Sequence, residues 1–226
     1  MIRTRWLTAE LKISLRALAA RMRTQAFTDE SHDGFLLDRS REDRIEGRFI
    51  EKLTFQERVP DPFGQELVFD RVVYRQVQFM IYREFPQLEL RDAPRGTLSF
   101  MSKLLELCDF NLTSAPFTVD VIRWAESIGR IVGAAVLMDM MQLSEISVTP
   151  TVTGTMVLKS DRDVRESLRS IIGSRPYTVQ KVRLNWKEPT RGVVIQLSNN
   201  GSAKIDAADV DLLSALRTTI PKPPAV

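Results

Sequence analysis

The stretch TVTGTMVLKSDRDVRESLRSIIGSRPYTVQKVRLNWK, Thr151 to Lys187, sets how the rest of the chain is read. Thr151 to Leu158 is rich in β-branched residues and reads as a strand. Ser160-x-x-Asp163 then reads as a capping box opening a helix. Val164, Leu168, Ile171 and Ile172 recur at the helical period as its buried stripe, and Gly173 suits the helix end. Strands are predicted at about 177–187 and 192–198. In the first of these, Val182, Leu184 and Trp186 alternate with Lys181, Arg183, Asn185 and Lys187, so each set owns one face. Asn200-Gly201 is a hairpin signal leading to Ala203–Ile205. Asp206 and Asp209 open a last helix carrying Val210, Leu213 and Leu216, and a proline-rich tail runs from Pro221 to Val226.

Working back toward the N-terminus, Leu7, Ala9, Leu11, Ile13 and Leu15 alternate with polar residues. Leu11, Leu15, Leu18 and Met22 recur at helical spacing. A strand over 6–14 and a helix over 15–26 satisfy both patterns. Residues 28–44 read as a polar loop. Strands at 45–58 and 66–83 flank the turn Pro60-Asp61-Pro62-Phe63-Gly64. A short run at Leu88-Glu89-Leu90 precedes a helix over 97–109. Val119, Ile122, Trp124 and Ile128 mark another helix, closed by Gly129. From 133 to 158 the chain is rich in Val, Thr and Met, with breaks at Pro150 and Gly154, and its strand register is open.

These elements define an α+β fold of two sheet-plus-helix halves. Each half follows the order strand, helix, three strands, helix. The expected organisation is an N-terminal α+β half at 1–110, a connecting helix and strand region at 111–150, a C-terminal α+β half at 151–220, and a tail at 221–226.

The composition excludes more than it selects. At 43% hydrophobic and 27% charged, the chain of 226 residues lies in the globular range. Its single cysteine excludes a disulfide framework and a cysteine-built zinc site, and its single histidine excludes any site needing two. No run reaches the ~18 apolar residues of a membrane helix, so a cytoplasmic protein is expected. There is no P-loop and no Gly-x-Gly-x-x-Gly, so no nucleotide cofactor is expected. His32 reads as an exposed loop residue, and Cys108 as a small buried hydrophobe on its helix stripe. Pro60-Asp61 invites comparison with the PD-(D/E)xK nuclease pattern, but no acid-x-Lys follows within thirty residues. No catalytic or metal residue is assigned.

Charge is the directed signal. Residues 1–27 carry six basic and one acidic side chain, whereas 28–70 carry six basic and twelve acidic. Residues 159–191 hold nine basic against four acidic side chains inside a chain whose net charge is only +3. Phosphate backbones need several cations presented together on rigid elements. Lys181, Arg183 and Lys187 share a strand face, and Arg162, Arg165 and Arg169 share a helix face. These six form the expected nucleic-acid-binding set. The expected function is therefore a non-catalytic binding or accessory subunit of a larger prokaryotic complex. It would contact nucleic acid or an acidic partner through a basic C-terminal face, with defence against foreign DNA as one setting. A protein partner or a homo-oligomer is expected beside nucleic acid, and no membrane. The alternative is a carboxylate-dependent, metal-nuclease-like hydrolase whose acids converge only in the fold.

Overall fold

A computed structural model describes residues 1–60, 62–132, 136–187, 192–206 and 210–222. Asp61 of the turn, Asp209 of the last helix start, the tail beyond 222 and the side chains of Lys187 and Val210 lie outside the described residues. The fold is α+β and its strand ladders are antiparallel. Its elements are β1 (Ile2–Leu11), α1 (Leu15–Thr24), β2 (Asp33–Ser40), β3 (Arg44–Pro60), β4 (Glu66–Tyr82), β5 (Leu88–Arg91) and α2 (Leu98–Leu107). There follow β6 (Leu112–Ala115), α3 (Val121–Val132), β7 (Leu137–Thr149), β8 (Val152–Lys159), α4 (Val164–Ile172), β9 (Thr178–Lys187), β10 (Gly192–Ser198), β11 (Ser202–Ile205) and α5 (Val210–Thr218). The chain divides into two compact units, Ala9–Thr113 and Met1–Thr8 with Ser114–Val226.

In the unit Ala9–Thr113 the strand order is β2-β3-β4-β5, and α1 packs on β2, β3 and α2. Ser14 caps α1, its hydroxyl accepting from the Ala17 N–H at 3.2 Å. Leu15, Leu18, Ala19 and Met22 are buried, as the helical spacing requires. Phe35, Phe49, Phe79 and Phe100 form the core, their ring centroids 5.1 to 6.5 Å apart. Each such ring contributes about 2–3 kcal/mol by burial. Phe35 also explains β2, which lies where a polar loop is predicted. Its apolar residues Phe35, Leu36 and Leu37 are consecutive between charged ends, so no alternation marks the strand. This half thus runs strand, helix, four strands, helix.

In the other unit the order is β8-β7-β9-β10-β11, followed by the start of β1. The helix α3 packs on β9, β10 and α5. Trp124 of α3 meets Trp6 of β1 edge to face at 5.8 Å and donates its indole N–H to the Leu216 carbonyl at 3.1 Å. Gly129 lies inside α3 rather than closing it, because the helix continues through Ile131. The cap of α4 is Asp163, whose carboxylate accepts from the Arg165 N–H, while the Ser160 hydroxyl accepts from the Arg162 N–H one turn earlier. The observed cap therefore lies three residues after the predicted one. Gly173 ends it at φ +67. Of the predicted stripe, Val164, Leu168 and Ile172 are buried and Ile171 is exposed.

The order strand, helix, three strands, helix is found in β8-α4-β9-β10-β11-α5. Position in the sheet reveals a second equivalence. The run α1-β2-β3-β4-β5-α2 has the same order as α3-β7-β9-β10-β11-α5, with β8 and α4 inserted after β7 as an edge strand and its helix. Each unit is therefore a four-strand antiparallel meander flanked in sequence by helices.

Candidate nucleic-acid interface

The site lies on the solvent face of β1, β11, β10, β9, β7 and β8, and alternation builds it. Trp6, Val182, Leu184, Ile195, Leu197, Ala203 and Ile205 are buried on one face, so their neighbours in sequence turn to the other. The register aligns those neighbours in two rows across the strands. The first reads Arg3, Lys204, Gln196, Arg183, Met140, Lys159. The second reads Arg5, Ser202, Ser198, Lys181, Gln142, Val157. Six of these twelve residues are cations, four are amides or hydroxyls, and none is a carboxylate. Six strands at about 4.8 Å give each row a span of roughly 24 Å.

Local irregularities shape this face. A β-bulge between Met138 and Met140 adds Asp139 to β7. Arg183 donates to both Asp139 oxygens, at 2.7 and 3.0 Å, and the carboxylate pushes the guanidinium pKa further above its ordinary value. A second irregularity leaves Gln180 as an extra residue of β9. Gln180 accepts from the Gln142 amide at 3.1 Å. A depression of about 400 Å³ opens there, with Lys181 and Lys204 among its lining. The amides of Gln142, Gln180, Gln196, Asn199 and Asn200 complete most of its wall. The turn at Asn199–Gly201 is held by Gly201 at φ +67, whose carbonyl accepts from the Trp6 N–H at 2.8 Å.

The six expected residues do not gather at one place. Lys181 and Arg183 stand on the face just described, and Lys187 ends β9, its side chain outside the described residues. Arg162, Arg165 and Arg169 belong to the α4 segment, on the opposite side. Arg165 lines a cavity of about 370 Å³ with Ala125 and Gly129 of α3 and with Met138 and Leu184, both on the inward face. Arg165 forms a bidentate pair with Asp163, through Nε at 2.8 Å and Nη2 at 2.6 Å, and reaches Glu126 at 3.9 Å. This guanidinium holds the Asp163 carboxyl below its usual range. Arg162 and Arg169 are exposed.

Sequence reading missed Arg3, Arg5, Lys204 and the amides. Arg3 and Arg5 do alternate with Ile2, Thr4 and Trp6, but the predicted strand began at residue 6. Lys204 stands alone between Ala203 and Ile205, and only the register places it beside Arg3.

In the unit Ala9–Thr113 seven arginines, Arg21, Arg44, Arg48, Arg58, Arg71, Arg75 and Arg91, stand against acids. Arg48 meets Asp38 at 3.2 Å, and Arg91 meets Glu89 at 2.6 Å, with Glu89 buried. His32 is exposed and Cys108 fully buried, burial pushing its thiol pKa up to about 11. Among the described residues no three His, Cys, Asp or Glu group as a metal site, and no helix is long and apolar enough to cross a membrane. No known protein family matches the sequence, and no curated protein matches it.

Proposed function

We propose that the chain is a non-catalytic nucleic-acid-binding subunit, with the face formed by β1, β11, β10, β9, β7 and β8 as its contact surface. The observation that carries this reading is the pair of cross-strand rows, which hold six cations, with one carboxylate, Asp139 of the β7 bulge, paired to Arg183 beside them. Cations fixed on a sheet lose little freedom when phosphates displace their counterions, and that release supplies most of the affinity. The amides between them offer donors and acceptors to sugar and base edges, where register and any sequence preference are read. An acidic protein would meet the same charges but would leave this amide-lined depression unused.

Fluorescence anisotropy with labelled single- and double-stranded DNA and RNA tests the reading. Lys181→Glu with Lys204→Glu is expected to weaken binding by more than about tenfold while leaving the melting temperature unchanged. Arg162→Glu with Arg169→Glu, on the α4 side, is expected to stay within about twofold of the native chain. The opposite ranking would move the interface to α4, and no binding by the native chain at low salt would refute it.

A further inference from the structure

The cations of the two rows stand in two groups. Arg3 and Arg5 of β1 with Lys204 of β11 are at one end, and Lys181 and Arg183 of β9 with Lys159 of β8 are at the other. Asp139 takes up the charge of Arg183, so Lys181 and Lys159 carry the net charge of the second group. Between the groups, Gln196 and Ser198 of β10 and Ser202 of β11 are uncharged. β9 lies two strands from β11 and three from β1, so the groups are about 10 to 14 Å apart.

The gap is also recessed. The depression of about 400 Å³ lies in it, lined by Gln196, Ser198 and Ser202, with Lys204 from one cation group and Lys181 from the other. None of the twelve residues in the two rows is aromatic.

These features select among nucleic acids. Single strands are held largely by bases stacked on aromatic rings, which the rows do not offer. In B-form DNA the minor groove is about 6 Å wide, narrower than the gap, and the major groove is about 8.5 Å deep. Base edges at that depth are read by an inserted helix or ribbon, whereas this face is recessed where it would have to protrude. A-form RNA differs, because its minor groove is wide and shallow and displays 2′-hydroxyls beside the base edges. Such a surface meets a recess without insertion.

We infer that the nucleic acid taken by this face is double-stranded RNA, bound across its minor groove. The two cation groups meet the phosphates of the two strands that border the groove. The amides and hydroxyls between them exchange hydrogen bonds with the 2′-hydroxyls, the groups that separate RNA from DNA. This inference rests on the proposal that the face binds nucleic acid, and narrows it to one class.

Fluorescence anisotropy tests it with one sequence of about 20 base pairs, prepared as RNA duplex, DNA duplex and single-stranded RNA. The native chain is expected to bind the RNA duplex at least about tenfold more tightly than either of the others. A 2′-O-methyl RNA duplex keeps the A-form but loses the hydroxyl donors, and is expected to bind about fivefold more weakly than RNA. Gln196→Ala with Ser198→Ala is expected to bring the RNA and DNA duplexes to within about threefold of each other. The salt slope is expected to stay unchanged in that chain, since no cation is lost. Equal or tighter binding of the DNA duplex or of single-stranded RNA overturns the inference and leaves the nucleic-acid interface standing. No binding of any of the three at about 50 mM salt overturns both.

Discussion

Arg183 grips Asp139 through two hydrogen bonds, so the carboxylate of the β7 bulge neutralises a cation in the middle of the basic rows. The pair is partly exposed, and pairs of this kind contribute at most about 1 kcal/mol to stability. Asp139→Asn is therefore expected to keep the fold and release the Arg183 charge. Affinity for DNA or RNA is expected to rise about threefold, with a steeper salt dependence. Anisotropy titrations at two salt concentrations check this.

Asp163 caps α4 and pairs with Arg165, and its carboxyl pKa is lowered. A lowered pKa means that the folded chain holds this proton less tightly than the unfolded chain. The associated stability is present above the unfolded value of about 3.9 and is lost as pH falls through the folded value. Asp163→Asn keeps an acceptor at the cap but loses the charge pair. It is expected to cost about 1 kcal/mol at neutral pH and to flatten the acid limb of the stability profile. Urea unfolding from pH 7 down to pH 3 measures both effects.

The Cys108 thiol, fully buried and raised to about 11, behaves in the opposite sense. Unfolded thiol ionises near pH 8.5, so the folded chain retains a proton that the unfolded chain gives up. Stability is constant below that value and falls as pH rises toward 11, by at most about 1.4 kcal/mol per pH unit. Cys108→Ala is expected to remove this part of the decline. In the native chain the thiol is expected to resist alkylation at pH 8 until the protein unfolds.

Gly201 takes a left-handed conformation, and a Cβ there would lie 2.9 Å from the Phe117 ring and 3.2 Å from the Trp6 carbonyl oxygen. Gly201→Ala is expected to destabilise the chain by about 2 kcal/mol or more, since backbone strain adds to the clash. Because the same turn fixes the register of Ser202 and Lys204, nucleic-acid affinity is expected to fall with it. Thermal unfolding and anisotropy on one preparation compare the two losses.

Much of the fold was legible wherever one period dominated. Val182, Leu184 and Trp186 gave β9 its inward face, and Asn200-Gly201 gave the β10–β11 turn. β2 was hidden because its apolar residues, Phe35, Leu36 and Leu37, are consecutive rather than alternating and stand in an otherwise charged and polar segment. The charged rows were only half legible. Lys181 and Arg183 follow from local alternation, but Arg3 and Lys204 are 201 residues apart in sequence and become neighbours only through the β1–β11 register. The α4 arginines share the right charge, yet the burial of Val164, Leu168 and Ile172 fixes them on the helix side.

The most direct test of the interface is the salt dependence of affinity for a labelled oligonucleotide. Four or five phosphates resting on the two rows give a slope of log Kobs against log salt of about −3 to −5. In the Lys181→Glu, Lys204→Glu chain that slope is expected to be shallower by about two units. A native chain showing no binding at about 50 mM salt, or a slope unchanged by the two substitutions, would contradict the assignment of this sheet face.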